Sequence, residues 1–331
     1  MAQAITNLSL NDKIKYGSYK GAPIIWRIAD FNHPGYPSNS VTLISDVILC
    51  EKAFDAKEPS NNNSDRQQYG NNRYAHSNLR QWLNKRGSPW YEAQHSADAP
   101  PNSSGVLANP YDTEPGFLTE FTDDELSVSL ETTLTVAKNT VTDGGGSETV
   151  VDKIFLASCT EVGLANENGI AEGVQFPIFT DDASRIAQHN GSNDYWWLRT
   201  PFASNSRFLR YVLSGGSRSY DLAYYGNNGV RPLCNLKSDI LVSDTTDSDG
   251  CYTVVWVKKY TITLDKPITA TTADKLLQCK FTPKINGNAM ELKEADEEKF
   301  VYTASDIEGN NVDLEIEGKD AKLDKVAYII S

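Results

Sequence analysis

Between Phe202 and Asn228 the chain carries side chains suited to touching another molecule rather than to making or breaking bonds. Phe202, Phe208, Tyr220, Tyr224 and Tyr225 offer large amphipathic surfaces with few torsions to freeze, and they read as anchors. Ser204, Ser206, Ser217, Ser219, Asp221, Asn227 and Asn228 offer small, adaptable hydrogen-bonding groups around them. Arg207 and Arg218 add charge-assisted contacts, and Leu213 and Leu222 add apolar ones. Catalysis is poorly served, because the segment has no His, Glu, Lys or Cys and Asp221 is its sole carboxylate. A plainer reading is a twisted β-hairpin turning at Ser214-Gly215-Gly216-Ser217, with Tyr and Ser on its solvent face. Four tyrosines in 27 residues are dense for a surface that meets no ligand, which favours the recognition reading.

Elsewhere the usual catalytic and metal spacings do not occur. The five cysteines are far apart and lie mostly in apolar runs such as ISDVILC and KIFLASC, with no CxxC and no His at ligand spacing. Buried reduced thiols are expected, and a zinc site is not. None of His33, His76, His95 and His189 sits in HExxH or beside a candidate nucleophile, and no GxSxG occurs. The carboxylates after Thr122 match a helix capping box, and Gly144-Gly145-Gly146 lacks the Lys-Ser/Thr of a phosphate loop. Ser243 to Gly250 (SDTTDSDG) has carboxylate spacing like a calcium loop but lacks the closing Glu and flanking helices. No cofactor, no metal and no enzymatic activity are therefore expected.

The elements that must position the segment are β-rich with one clear helix. Tyr195 to Leu198 enters it as an aromatic and apolar run, and Gly229 to Leu233 leaves it as a rigid exit. Arg199, Arg210 and Arg231 are expected beneath the face, paired with acidic groups or carbonyls. Ile24 to Ile28 and Val41 to Leu49 read as short apolar strands around the loop Phe31 to Ser40. Glu58 to Gly70 reads as a long polar loop. Ser77 should cap a helix over Asn78 to Lys85 that buries Leu79, Trp82 and Leu83 and stops at Gly87. Ile154 to Ala157 reads as a buried strand, and Thr160 to Leu164 and Asp181 to His189 as short turns of helix. Tyr252 to Trp256 is expected to close the first domain. Lys258 to Ser331 alternates as a small immunoglobulin-like β-sandwich, with Asn286-Gly287 and Glu308-Gly309-Asn310 as turns, and reads as a spacer or docking module.

The order LRQWLN, KIFLAS, YWWLRTP, a variable-looking stretch and GVRPLCNL resembles a family of phage and prophage proteins from Gram-positive gut bacteria. The resemblance covers about Leu10 to Val257 and is most specific in YWWLRTP and GVRP. It implies a C-type-lectin-type domain related in fold to the formylglycine-generating enzymes, similar in layout to proteins diversified by retroelements. The fold class expected is α+β, with a lectin-type display domain over 1–257 followed by the all-β module over 258–331. Mutagenesis at template adenines in AAY codons cannot produce Lys, Glu, Gln, Met or Trp. Those types make up 54 of the 331 residues, yet none occurs from Phe202 to Asn228, a gap that favours such mutagenesis. The sequence departs from lectin sugar sites, with no EPN or QPD triplet, and from the sulfatase-activating enzymes, with no evident active-site Cys pair.

A net charge of −13 and a pI near 4.8 exclude the basic footprint that nucleic-acid binding needs. No run is long and apolar enough for a membrane span. The N-terminal stretch lacks a basic end followed by an apolar core, so no cleavable export signal is expected. Taken with the resemblance, the expectation is a non-enzymatic binding protein of a phage particle or the cell exterior, made in the bacterial cytoplasm. Its partners would be a host cell-surface protein or glycan and other virion or tail proteins, with self-association open. The alternative is a structural capsid or tail decoration whose 202–228 face packs on a neighbour.

Overall fold

Short strands are the main regular structure among the described residues. The computed structural model describes residues 2–94, 98–167 and 169–265, with strands 284–285, 288–289, 291–295, 299–307 and 328–330 beyond them. The chain divides into two units, Met1–Val254 and Val255–Ser331.

In the first unit the chain begins with β1 (Ala2–Ala4), β2 (Lys13–Tyr19), β3 (Ala22–Phe31), β4 (Ser40–Ser45) and β5 (Cys50–Glu51). Helices α1 (Ser64–Tyr69), α2 (Asn78–Leu83) and α3 (Asp123–Val128) follow, then β6 (Ser129–Leu130), β7 (Thr132–Ala137), β8 (Ser147–Asp152) and β9 (Ile154–Phe155). After α4 (Asp182–Arg185) come β10 (Ala187–His189), β11 (Ser192–Asp194), β12 (Trp196–Pro201), β13 (Phe208–Val212) and β14 (Arg218–Leu222). The unit ends with β15 (Gly229–Val230), β16 (Leu233–Lys237), β17 (Leu241–Ser243) and β18 (Cys251–Val255).

Nine strands form the largest sheet, in the order β1-β17-β18-β2-β3-β4-β16-β6, with β9 also pairing β16. Ile24, Trp26 and Ile28 alternate inward on β3, whereas every residue of β4 is buried, as expected of a strand covered on both faces. A second sheet of five strands runs β14-β13-β12-β15-β5. Its centre, β12, is buried at all six positions, from Trp196 to Pro201. β7 with β8, and β10 with β11, form separate hairpins.

The α-helices α1 to α4 have four to six residues each, too short to stand alone, and a side chain caps each of these four. Ser77 caps α2, which buries Leu79, Trp82 and Leu83 as expected but ends at Leu83, before Gly87. The Thr122/Glu125 capping box is present on α3. Three expectations fail. Thr160 to Leu164 is a hydrogen-bonded turn and not a helix, closed by Gly163 N–H donating to the Thr160 carbonyl. Glu58 to Gly70 is not all loop, because Asn63 accepts from the backbone N–H groups of Asp65 and Arg66 and starts α1. The helix expected from Asp181 to His189 stops at Arg185, and Ala187–His189 becomes a strand. In SDTTDSDG, Asp247 accepts from the Asp249 and Cys251 backbones, and both aspartates pair with Lys15, which gives these carboxylates a role without an ion. Cys50, Cys159, Cys234 and Cys251 are buried free thiols.

In the second unit, β19 (Val257–Asp265), β20 (Lys284–Ile285), β21 (Asn288–Ala289), β22 (Glu291–Ala295), β23 (Lys299–Ile307) and β24 (Tyr328–Ile330) are described. β22-β23-β19-β24 form an antiparallel sheet, and β20 pairs with β21. The expected strands Leu276 to Phe281 and Val312 to Ile316, and the turns Asn286-Gly287 and Glu308 to Asn310, lie outside the described residues. The protein as described is β-rich, with short helices and several sheets.

Candidate functional site

The hairpin β13–β14 carries the expected recognition segment. Its register pairs Phe208 with Leu222, Arg210 with Tyr220 and Val212 with Arg218. The turn closes through Leu213 N–H to the Ser217 carbonyl at 2.8 Å. Gly216, at φ 87°, lies so close to Asp182 that a Cβ would stand 1.8 Å from the Asp182 carbonyl oxygen. Glycine therefore seats the turn against α4.

Pairing places Phe208, Arg210 and Tyr220 on one face of the hairpin. Phe202 joins them from the end of β12, with ring centroids 4.8 Å from Tyr220 and 6.1 Å from Phe208. Phe208 and Tyr220 lie 5.0 Å apart, and Tyr220 is 46% exposed. The Arg210 guanidinium sits 4.3 Å from the Phe202 centroid and forms an ion pair with Glu167. Glu167 also accepts from the Ala203 backbone N–H. The result is a half-open aromatic platform on a buried, neutralised cation.

A second aromatic patch adjoins α1. Tyr224 contacts Tyr69 at 5.6 Å and Tyr225 at 5.9 Å. Arg207 pairs with Asp65 at 2.5 Å and lies over the rings of Tyr69 and Phe208 at 4.9 and 5.0 Å. Lys57 lies 5.6 Å from the Tyr224 ring. Tyr69, Asp65, Lys57 and Glu167 were not legible as site residues, since nothing in the linear sequence ties them to 202–228. Only Asn63 ahead of Ser64 could have signalled the helix that brings two of them in.

Two of the expected contact residues are instead internal. Ser206 is 1% exposed and donates to Asn63 Oδ1 at 2.9 Å, tying the segment to the α1 cap. Asn228 is 2% exposed, and its side-chain amide donates to Asp221 Oδ2 at 3.1 Å. Asp221 is only half-buried, but its other oxygen accepts from Leu222 N–H, so both of its oxygens have partners within the chain. Phe202, Arg207, Phe208, Leu213, Ser217, Arg218, Ser219, Leu222, Tyr224 and Tyr225 are half-buried, and Ser204, Tyr220 and Asn227 are exposed. The Arg218 guanidinium donates to the Ala165 carbonyl.

β14 is an edge strand, but a short one for pairing with another chain. Backbone bonds from Ala223 to Arg207 and from Leu213 to Ser217 set which groups face β13, leaving Arg218, Tyr220 and Leu222 facing out. Leu222 N–H is taken by Asp221, and its carbonyl accepts from Tyr225 N–H. Side chains, rather than a long open ladder, are what this surface presents.

Of the arginines expected to pair with acidic groups or carbonyls, Arg199 is fully buried and donates to both oxygens of Glu161 at 2.6 Å and to the Leu156 and Glu172 carbonyls. Arg231 is buried on the Trp196 ring at 5.0 Å and donates to the Ser45 carbonyl. Burial holds its guanidinium down to about 9, with Arg27 adding to the effect. Burial also pushes the Cys159 thiol up to about 11, with Glu172 next in effect, which leaves it unsuited to nucleophilic attack.

A cavity of about 390 Å³ lies at the opposite edge of the same sheet, lined by Lys20, Cys50, Glu51, Lys52, Glu114 and His189 among others. Lys52 pairs with Glu114 at 2.6 Å and stands 4.5 Å from the rings of both Trp82 and Tyr111. Two of its lining residues, Glu51 and His189, cluster with Asp194, and no linear spacing connects the three. The signal available for the hairpin that carries two of them was Asn190-Gly191.

Among the described residues no helix is long and apolar enough to cross a membrane. No curated protein and no solved structure matches the chain. One family model, described as a domain of unknown function (DUF6273), matches residues 38–238, from the loop before β4 to the end of the first unit's β16. That stretch holds the whole recognition segment and exceeds half of the chain, and the chain belongs to the DUF6273 family.

Proposed function

We propose that this is a non-enzymatic, phage- or prophage-derived binding protein that presents the 202–228 surface to a host cell-surface protein or glycan. The observation that carries this reading is the platform of Phe202, Phe208 and Tyr220 over the neutralised Arg210. Its rings are accessible and mutually packed, and so lose little freedom on binding. The neighbouring Tyr69, Tyr224 and Tyr225 extend the same kind of surface. A lectin-type first domain and an immunoglobulin-like second one would suit display at a distance from the particle. The absence of Lys, Glu, Gln, Met and Trp from the segment supports retroelement diversification.

The test uses labelled full-length chain on a panel of Gram-positive gut bacteria, alongside the Y224A/Y225A variant. Saturable binding that the variant loses, with its thermal melt unchanged, is the expected outcome. Equal binding by the variant would overturn the assignment. In the flanking DNA, a reverse transcriptase gene and a near-copy of the segment richer in AAY codons are expected.

A further inference from the structure

We propose that Glu51, His189 and Asp194 form a binding site for a divalent first-row transition metal ion, with Zn²⁺ as the probe ion. One ligand atom from each of the three residues lies within 4.8 Å of the others. His189 Nδ1 is 3.3 Å from a Glu51 oxygen and 3.9 Å from an Asp194 oxygen. Ligands at about 2.0–2.2 Å in a tetrahedral shell stand about 3.3 Å apart, so one pair is already at that spacing and small side-chain rotations bring in the third.

Strands, not loops, fix the three residues. Asn190 and Gly191 both have positive φ, 50° and 80°, as a two-residue hairpin turn of this kind requires. The resulting register pairs His189 with Ser192 and Ala187 with Asp194, which puts His189 and Asp194 on the same face of the hairpin. Ile48 N–H donates to the Gln188 carbonyl at 2.9 Å and holds β10 beside the chain entering β5. Glu51 pairs with Gly229, whose N–H donates to the Tyr195 carbonyl one residue past Asp194. A Cβ on Gly229 would stand 2.6 Å from that carbonyl oxygen, so the close approach depends on glycine.

The chemistry of the set favours a borderline divalent ion. One imidazole nitrogen and two carboxylates make an N/O site with no thiolate, suited to Zn²⁺ and its first-row neighbours rather than to soft-metal sulfur centres. With neutral imidazole the set carries two negative charges, which a divalent ion balances. The Asn190 side-chain amide lies 3.3 Å from His189 Nε2. With its oxygen turned to that nitrogen, it would hold the proton on Nε2 and leave the Nδ1 lone pair to the ion. Glu51 and His189 also line the 390 Å³ cavity, so the remaining coordination positions face open space. Because Glu51 sits on the edge strand opposite β14, a bound ion would clamp the hairpin to the sheet that displays the aromatic platform.

Equilibrium dialysis of the full chain against Zn²⁺ tests this, with E51Q/D194N and H189Q as variants and circular dichroism melts in chelator as the folding control. The expected result is one bound ion per chain, lost in both variants, and a melting temperature that rises with Zn²⁺ only in the unmodified protein. Co²⁺ should give weak visible bands without a thiolate charge-transfer band. No binding by the unmodified chain, undiminished binding by either variant, or a thiolate band would overturn the assignment. If E51Q/D194N does not fold, H189Q decides.

Discussion

The guanidinium of Arg210 lies 4.3 Å from the centre of the Phe202 ring and is held there by Glu167, beneath the most exposed tyrosine of the segment, Tyr220. Both charged side chains are nearly buried, at 9% and 13% exposure, so removing one leaves the other unbalanced. E167Q should destabilise the first unit by on the order of 3 kcal/mol, read by denaturant unfolding. R210M/E167Q should recover part of that loss, since it buries no lone charge.

Asn63 has a double role. It caps α1 and accepts from Ser206, so it sets where Tyr69 and Asp65 stand against Tyr224 and Arg207. N63A is expected to cost about 1 kcal/mol of stability and to weaken ligand binding without touching the ligand-facing rings. Melting and binding measured on one preparation check it.

Gly226 lies against the backbone of the 104–109 loop, where a Cβ would stand 1.9 Å from the Ala108 carbonyl oxygen. Backbone cannot yield as a flexible side chain can. G226A should therefore destabilise by about 1–3 kcal/mol and loosen the turn after Tyr225, visible as faster amide exchange at 224–228.

Burial alone would raise the Asp46 carboxyl, but Lys13 and Arg27 outweigh it and hold it below the ordinary carboxylate range. A carboxylate depressed in the folded state adds stability that is present above its unfolded pKa and is lost as pH falls through its folded value. D46N should lower stability at neutral pH by roughly 1 kcal/mol and flatten the acid side of the stability profile. Urea midpoints measured from neutral to acidic pH give the answer.

Local signals carried much of the architecture. Ser77, Thr122 and Glu125 announced their helices, and the apolar run Ile24 to Ile28 announced β3, because caps and apolar runs are short-range chemistry. The hairpin turning at Ser214 to Ser217 was legible for the same reason. What was not legible depends on contacts between distant segments. Ser206 and Asn228 look like any surface Ser and Asn until Asn63 and Asp221 are placed beside them. The polar run Glu58 to Gly70 hid α1, since its helix carries little apolar periodicity and rests on one cap. Glu51 and His189 meet only because the chain entering β5 bonds to β10, from Ile48 N–H to the Gln188 carbonyl.

Hydrogen–deuterium exchange of the full chain with and without isolated cell envelopes from Gram-positive gut bacteria tests most directly which surface makes contact. The expected result is new protection across 202–228 and in α1, with β2 to β4 unchanged. Protection confined to other segments while 202–228 exchanges as before, or no protection on any envelope, would contradict the proposed role of that surface.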